Sequence, residues 1–390
     1  MPARGERSEV GSPSSTELRD GIRILFAGGG TGGHLYPGLA IARQMARLDP
    51  NVRPFFVGAR RGIEKDVLPT TGFPFELLEL HPLYRARPWR SWRTVVGGVS
   101  AWRGLGRIFA DRRPAAVVGT GGYASGAALA YAAAHGVPYG IQEQNSAPGM
   151  TVRLFSRWAR EVYLGFPEAA TDLPRRRGLV VVDTGNPIEA PPSPRPSRED
   201  ALARWGLEGD PSDPVLLVVG GSQGARAINE GVATWVRRGL PDRVRLIWGT
   251  GRASYDQYAA LASPRVRVEA YLQPISEAYA AADMALSRAG AMTTAELCAW
   301  RLPSVLIPLP TAAADHQTAN ARALEQAGAA ICVPQSELNV DRLDGIAATL
   351  LGDRSRTERM AAAAADRARP DAAERIARRV LALAGRLPTE

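Results

Sequence analysis

Lysine is nearly missing from this chain. Of 390 residues only Lys65 is a lysine, and it sits in "GIEKD" rather than after a glycine loop, which excludes the Walker A arrangement of nucleotide hydrolases. Cysteine is as scarce. Cys298 and Cys332 cannot build a disulfide framework or a cysteine-rich zinc site, and such usage makes the cytoplasm the expected compartment. The four histidines, His34, His81, His135 and His316, form no i, i+4 pair and no H-E-x-x-H, and no Asp-x-Asp triplet occurs. The usual zinc site and the carboxylate pair that clamps a metal–diphosphate are therefore both absent, and no metal is expected. No apolar run approaches the roughly 18 residues of a transmembrane helix. Residues 1–20 are polar, lack the apolar region of a secretory signal, and read as a disordered extension.

What is present is ordinary globular composition, 45% hydrophobic and 22% charged, in a chain long enough for two domains. The formal net charge is +9, and its distribution is uneven. Eight arginines (85, 87, 90, 93, 103, 107, 112 and 113) face one acid, Asp111, and Trp89, Trp92 and Trp102 are interleaved with them. Such a segment fits an interfacial membrane patch or a helix with a solvated basic face. Nucleic-acid binding finds no RNP, KH, zinc-finger or helix-turn-helix pattern to support it.

Short apolar strands alternate with helical stretches along the chain. "IRILFA" (22–27), 52–58, 75–80, 115–120, 138–144, 161–166 and 178–187 read as strands of one parallel sheet covered on both faces. Prolines 191, 192, 194 and 196 then mark 188–200 as a linker. After it the pattern restarts with "PVLLVVGGSQGARAINEGV" (214–232), and strands follow at 244–251, 266–272, 282–290 and 303–310. The expected architecture is α/β: a disordered 1–20, a doubly wound domain over 21–187, a second over 201–365, and an amphipathic helix within 366–390 that packs on either domain. Ligands of such sheets bind at the carboxyl ends of the strands, so two facing domains enclose a cleft.

Three glycine loops sit at strand ends: "GGGTGG" (28–33), "GTGGYASG" (119–126) and "GGSQG" (220–224). Such turns let backbone N–H groups and a helix N-terminus approach phosphate oxygens. A dinucleotide site would need an acid closing the second strand, but "FFVGAR" ends there in Gly58 and basic residues. With no lysine or metal to serve them, the phosphates would be neutralised by backbone amides and helix dipoles. "SRAGAMTTAELCAW" (287–300) suits that task. Thr293 and Thr294 lie in its first helical turn, and Glu296 is placed either to hold a ribose or simply to complement the dipole. "DHQTANA" starts another helix with Asp315, His316 and Gln317 exposed.

In order along the chain, "GGGTGGHLYPGLAIA", "GTGGYASG", "QEQNSAPG", "TGNPI", "VVGGSQGARAIN", "SRAGAMTTAEL" and "DHQTANA" resemble the MurG family of bacterial glycosyltransferases. The similarity runs from about residue 22 to 385. It implies the GT-B fold, two Rossmann-like domains facing a cleft. It also implies inverting, metal-independent transfer of GlcNAc from UDP-GlcNAc to the muramyl 4-hydroxyl of undecaprenyl-linked lipid I, giving lipid II for peptidoglycan, with no cofactor. By motif, Thr31, Gly32 and Gly33 would line the donor's diphosphate and sugar, and Asn145 would hold the GlcNAc side. Ser222 would touch a phosphate, and the backbone at Leu272 would read the uracil. Ala291, Met292, Thr293, Thr294, Ala295 and Glu296 would cover the diphosphate, with Glu296 on the ribose and Gln317 on sugar hydroxyls. Gly121, Gly122 and Tyr123 belong to the acceptor side.

The family is peripheral to the cytoplasmic face of the cell membrane. Trp89, Trp92, Arg93, Trp102, Arg103 and Arg107 then become a patch for an anionic membrane surface. His34 is either the general base for the acceptor hydroxyl or a structural and electrostatic support for the loop. Two residues depart from the family pattern. Glu189 stands where an arginine would assist the donor, with Arg195 or Arg198 as substitutes, and Gln142 replaces the histidine of "HEQN". Two other classes compete: a GT-B enzyme with a different acceptor, which should lack "GGTGGH" and "GGYASG", and a non-catalytic nucleotide-sugar-binding protein, which would not need His34 or Asn145. An NAD-dependent oxidoreductase lacks its ribose acid.

Overall fold

The computed structural model describes residues 21–80, 91–221 and 224–386, without the side chains of 91–97 and 350. The expected extension 1–20, Trp89 and Ser222 lie outside the described residues, as do the side chains of Trp92 and Arg93.

Two parallel sheets form the frame. The first contains β1 (Ile22–Ala27), β2 (Val52–Ala59), β3 (Phe75–Leu78), β4 (Ala116–Gly119), β5 (Tyr139–Glu143), β6 (Glu161–Leu164) and β7 (Val180–Asp183), in the spatial order β3-β2-β1-β4-β5-β6-β7. The second contains β8 (Val215–Val219), β9 (Arg245–Gly249), β10 (Val266–Glu269), β11 (Met284–Ser287), β12 (Ser304–Leu306) and β13 (Ala330–Cys332), ordered β10-β9-β8-β11-β12-β13. Both are doubly wound, and their central strands are mostly apolar because helices cover both faces. Strand periodicity sends alternate residues to opposite sides. Leu25 and Ala27 join one core and Ile24 and Phe26 the other. Leu217 and Leu216 divide the second domain in the same way.

Three segments differ from the sequence expectation for local reasons. The strand expected over 178–187 is confined to Val180–Asp183, because Gly178 and Gly185 take φ values of +84° and +78°, outside the strand region. The edge strand β3 stops at Leu78. A helix, Arg198–Trp205, begins inside the proline-rich 188–200, where the Ser197 hydroxyl accepts the Asp200 N–H at 3.0 Å and caps its first turn.

After the helix Arg354–Arg367 the chain returns to the first domain. There the helix Ala372–Leu383 inserts Ile376, Ala377, Val380 and Leu381 into the core beneath β1. Arg379 closes this contact with two bonds to Glu161, at 2.6 and 3.0 Å. Burying each of the larger apolar side chains contributes roughly 1.5–3 kcal/mol, so this crossing fastens the two domains together.

Candidate active site

The carboxyl ends of both sheets face a cleft of about 2060 Å³, and each domain aims a helix N-terminus into it. In the first domain β1 runs through the glycine turn into the helix Gly32–Leu48. Its early N–H groups have no intrahelical partner. The turn is braced by a residue the sequence reading passed over. Glu64 is fully buried, and its Oε1 accepts the Gly30 N–H at 3.0 Å and the Ala59 N–H at 3.2 Å. A Cβ on Gly29 would lie 1.8 Å from that oxygen. The glycine therefore makes room for a carboxylate from its own protein. No motif signalled this, because the partners come together only when β2 lies beside β1.

His34 lies at the start of the same helix and lines the cleft. Thr31 Oγ1 is 3.2 Å from His34 Nδ1, and the Thr120 hydroxyl donates to the His34 carbonyl at 2.6 Å. The ring rests on Gly121 and Gly122, whose φ values are +98° and +77°. A Cβ on Gly121 would come within 2.6 Å of His34 Cδ2, and one on Gly122 within 2.3 Å of the Gly29 carbonyl oxygen. Burial pushes the imidazole below its ordinary pKa. A hydrogen bond to the Gly29 backbone and the field of Glu64 oppose that shift, and His316 across the cleft adds to it. A neutral ring near pH 7 follows, able to accept a proton. Tyr123 completes this wall beside Gly30.

The facing wall belongs to the second domain. Gly290 ends the turn after β11, and the helix Ala291–Ala299 starts with its axis toward the cleft. Thr294 N–H is the first to find a partner, the Gly290 carbonyl, which leaves the amides of Ala291, Met292 and Thr293 for a ligand. These residues line the cleft with Leu272, Glu296 and Gln317. Tyr279 OH donates to Glu296 Oε2 at 2.8 Å. Burial raises the Glu296 pKa, the Tyr279 bond lowers it, and nearby Glu189 raises it again. Gln317 Oε1 accepts the Leu309 N–H at 3.0 Å. His316 also faces the cleft, with Nδ1 2.6 Å from the Ala313 carbonyl.

Two residues of the sequence motif do not reach this wall. A helix advances 100° per residue, which turns Thr294 and Ala295 away. Thr294 is buried and donates to the Ala291 carbonyl, and both residues border a small cavity behind the helix.

The proposed arginine substitutes for the missing donor contact are corrected by the structure. Arg195 donates to the Ala299 carbonyl and stacks over Trp300, and Arg198 pairs with Asp283 and with backbone carbonyls. Neither lines the cleft, while Glu189 does. Among the described residues, the second domain's wall of the cleft holds no lysine or arginine. Gln142 is equally remote. It is fully buried and donates to Asn186 Oδ1 at 3.0 Å. The glutamine for histidine exchange thus alters a hydrogen-bonded packing position and not the cleft surface. Asn145 does line the cleft, on the loop joining the two walls.

In the first domain, Val99, Trp102, Arg103 and Arg107 share an exposed face of the helix Ser91–Arg112. Trp102 is 43% exposed although its ring leans on Tyr131 at 4.8 Å. Exposed Met150, Leu154 and Trp158 lie on and just beyond the helix Met150–Phe155, and both helices touch the small-residue helix Gly122–Ala134. Among the described residues no helix is long and apolar enough to cross a membrane.

Residues 24–164 match the glycosyltransferase family 28 N-terminal domain, and residues 215–376 match the glycosyltransferase family 28 C-terminal domain. A curated relative from Chlorobaculum parvum is named UDP-N-acetylglucosamine–N-acetylmuramyl-(pentapeptide) pyrophosphoryl-undecaprenol N-acetylglucosamine transferase. It is 42% identical over 370 residues, covering 93% of this chain and 99% of its own. A relative of the same name from Moorella thermoacetica is 41% identical over 374 residues, covering 92% and 98%. The crystal structure of Acinetobacter baumannii MurG aligns with a TM-score of 0.73 at 27% identity, over 93% of this chain and 99% of that one. The calicheamicin glycosyltransferase CalG4 aligns at 0.66 with 18% identity, over 95% and 100%, which speaks to the shared fold alone.

Proposed function

The chain belongs to glycosyltransferase family 28, and from that premise we infer that it is a UDP-GlcNAc-dependent N-acetylglucosaminyltransferase acting on undecaprenyl-pyrophosphoryl-N-acetylmuramyl-(pentapeptide), the lipid I that becomes lipid II. The observation that carries this reading onto the chemistry is the pair of helix N-termini facing one cleft, with His34 at the start of one of them.

In the proposed reaction the muramyl 4-hydroxyl attacks the anomeric carbon of GlcNAc as the bond to UDP breaks. His34 takes the hydroxyl proton and UDP leaves with the bonding pair, so the anomeric configuration inverts. Thr31, Gly32 and Gly33 would meet the diphosphate and sugar from one side. The amides of Ala291, Met292 and Thr293 would meet the leaving diphosphate from the other, where a helix N-terminus stabilises negative charge. Glu296, aligned by Tyr279, would accept the ribose hydroxyls. Leu272 would border the uracil, and Gln317 and Asn145 the sugar. Neutralisation by amides and dipoles supports a reaction that needs no metal.

The acceptor carries a long lipid, and the exposed Val99, Trp102, Arg103 and Arg107 face offers apolar and cationic groups together, as an anionic membrane surface requires. The chain would work there as a peripheral protein on the cytoplasmic side. Transfer of labelled GlcNAc from UDP-GlcNAc to a lipid I analogue, with EDTA present, tests the activity. Product formation supports the assignment. Absence of transfer beside hydrolysis of the donor, or transfer of a different nucleotide-sugar, would move the chain to another substrate within the family.

A further inference from the structure

The loop between the two walls is held by a side chain within "DHQTANA" to which the motif reading assigned no role. Asn320, in the helix His316–Gln326, is fully buried and bonded on all sides. Its Oδ1 accepts the Ser146 N–H at 2.9 Å and the Ser146 hydroxyl at 3.1 Å. Its Nδ2 donates to the Asn145 Oδ1 and to the Ala289 carbonyl, both at 3.2 Å. A backbone N–H can only donate and a backbone carbonyl can only accept. Ser146 and Ala289 therefore fix which end of the Asn320 amide is oxygen, and Asn320 in turn fixes Asn145. Glu143 completes the arrangement, because its Oε1 accepts both the N–H and the Nδ2 of Asn145, at 2.8 and 3.2 Å.

We propose that Asn320 is a positioning residue for glycosyl transfer: it locks the Asn145 amide with its oxygen on Asn320 and one Nδ2 hydrogen on Glu143, so that the second Nδ2 hydrogen is left for the cleft, where it selects a hydrogen-bond acceptor on the donor sugar. The same side chain holds Ala289, one residue before the turn into the helix Ala291–Ala299. The proposal rests on Asn145 meeting the sugar, as the functional reading has it.

A double-mutant cycle on kcat/KM for UDP-GlcNAc tests the lock. Asn145→Ala and Asn320→Ala should each lower kcat/KM by about 10–100-fold. The double variant should be no more than about 3-fold below Asn145→Ala, since Asn320 acts through Asn145. Ser146→Ala, which keeps the backbone N–H and loses one bond to Asn320, should lower kcat/KM by about 2–5-fold in the wild-type background and leave Asn145→Ala unchanged. This milder variant decides the matter if Asn320→Ala does not fold. Losses that multiply independently, for either partner of Asn145, overturn the lock while the functional reading stands. A folded wild type that transfers no GlcNAc overturns the functional reading and the lock together.

Discussion

The two helix N-termini that face each other across the cleft are built from different material. On the first domain the entry is five glycines and a histidine, stiffened from behind by the buried Glu64. On the second it is Ala291, Met292 and Thr293, with a carboxylate one turn later that is oriented by Tyr279. Both supply free amides and a positive dipole end, yet only the first adds a titratable base at the mouth of the turn. The difference separates two jobs that the same fold could otherwise confuse. In the proposed reaction the first wall would move a proton and accommodate the acceptor, and the second would receive the departing anion.

The sharpest way to break the comparison is to remove the base. His34→Ala should lower kcat by about 10²–10⁴-fold with the donor KM within a few-fold, read by steady-state transfer kinetics. Next comes the floor beneath the ring. Gly121→Ala places a Cβ 2.6 Å from His34 Cδ2 at a φ of +98°, and a displaced base costs on the order of 10²-fold in kcat. A circular-dichroism melt alongside the assay separates this loss from unfolding.

The opposite wall should respond in donor binding instead. Glu296→Gln loses a charged acceptor for hydroxyls and should raise the donor KM by about 10–100-fold with a smaller change in kcat. In the wild type, the raised pKa of Glu296 means that the ionised, ribose-accepting form is lost as pH falls through that raised value. Donor KM should therefore climb on the acid side. The smallest effect is a gain. Glu189→Arg removes an acid beside Glu296 and adds a cation to a wall whose described residues hold none, lowering the donor KM by about 2–5-fold, as exposed charge pairs do.

The sequence made the frame legible because buried parallel strands are continuous apolar runs. "IRILFA" is β1 to the residue, and the restart after the prolines separates the two sheets. The glycine turns were equally visible, since a strand running into glycines and then a helix has few other uses. What remained hidden depended on contacts between distant segments. Glu64 reads as an ordinary helix acid until β2 places it under Gly29 and Gly30. Arg195 and Arg198 read as free cations near the linker until Ala299 and Asp283 take them up. Helical rotation separated Thr294 and Ala295 from neighbours that the motif had grouped with them. Gln142 resembled a changed site residue and is a buried link to Asn186.

The central claim is that His34 acts as a neutral base on the first wall, and the pH dependence of kcat tests it most directly. Burial holds the His34 pKa below its ordinary value, so the neutral form persists below about pH 6.5 and is lost as pH falls through the lowered pKa. Single-turnover transfer of GlcNAc to a lipid I analogue should show an acid limb below pH 6.5 in the wild type, and that limb should vanish from the residual activity of His34→Ala. An unchanged limb in His34→Ala, with the rate intact, would contradict the account and return His34 to a supporting role in the glycine turn.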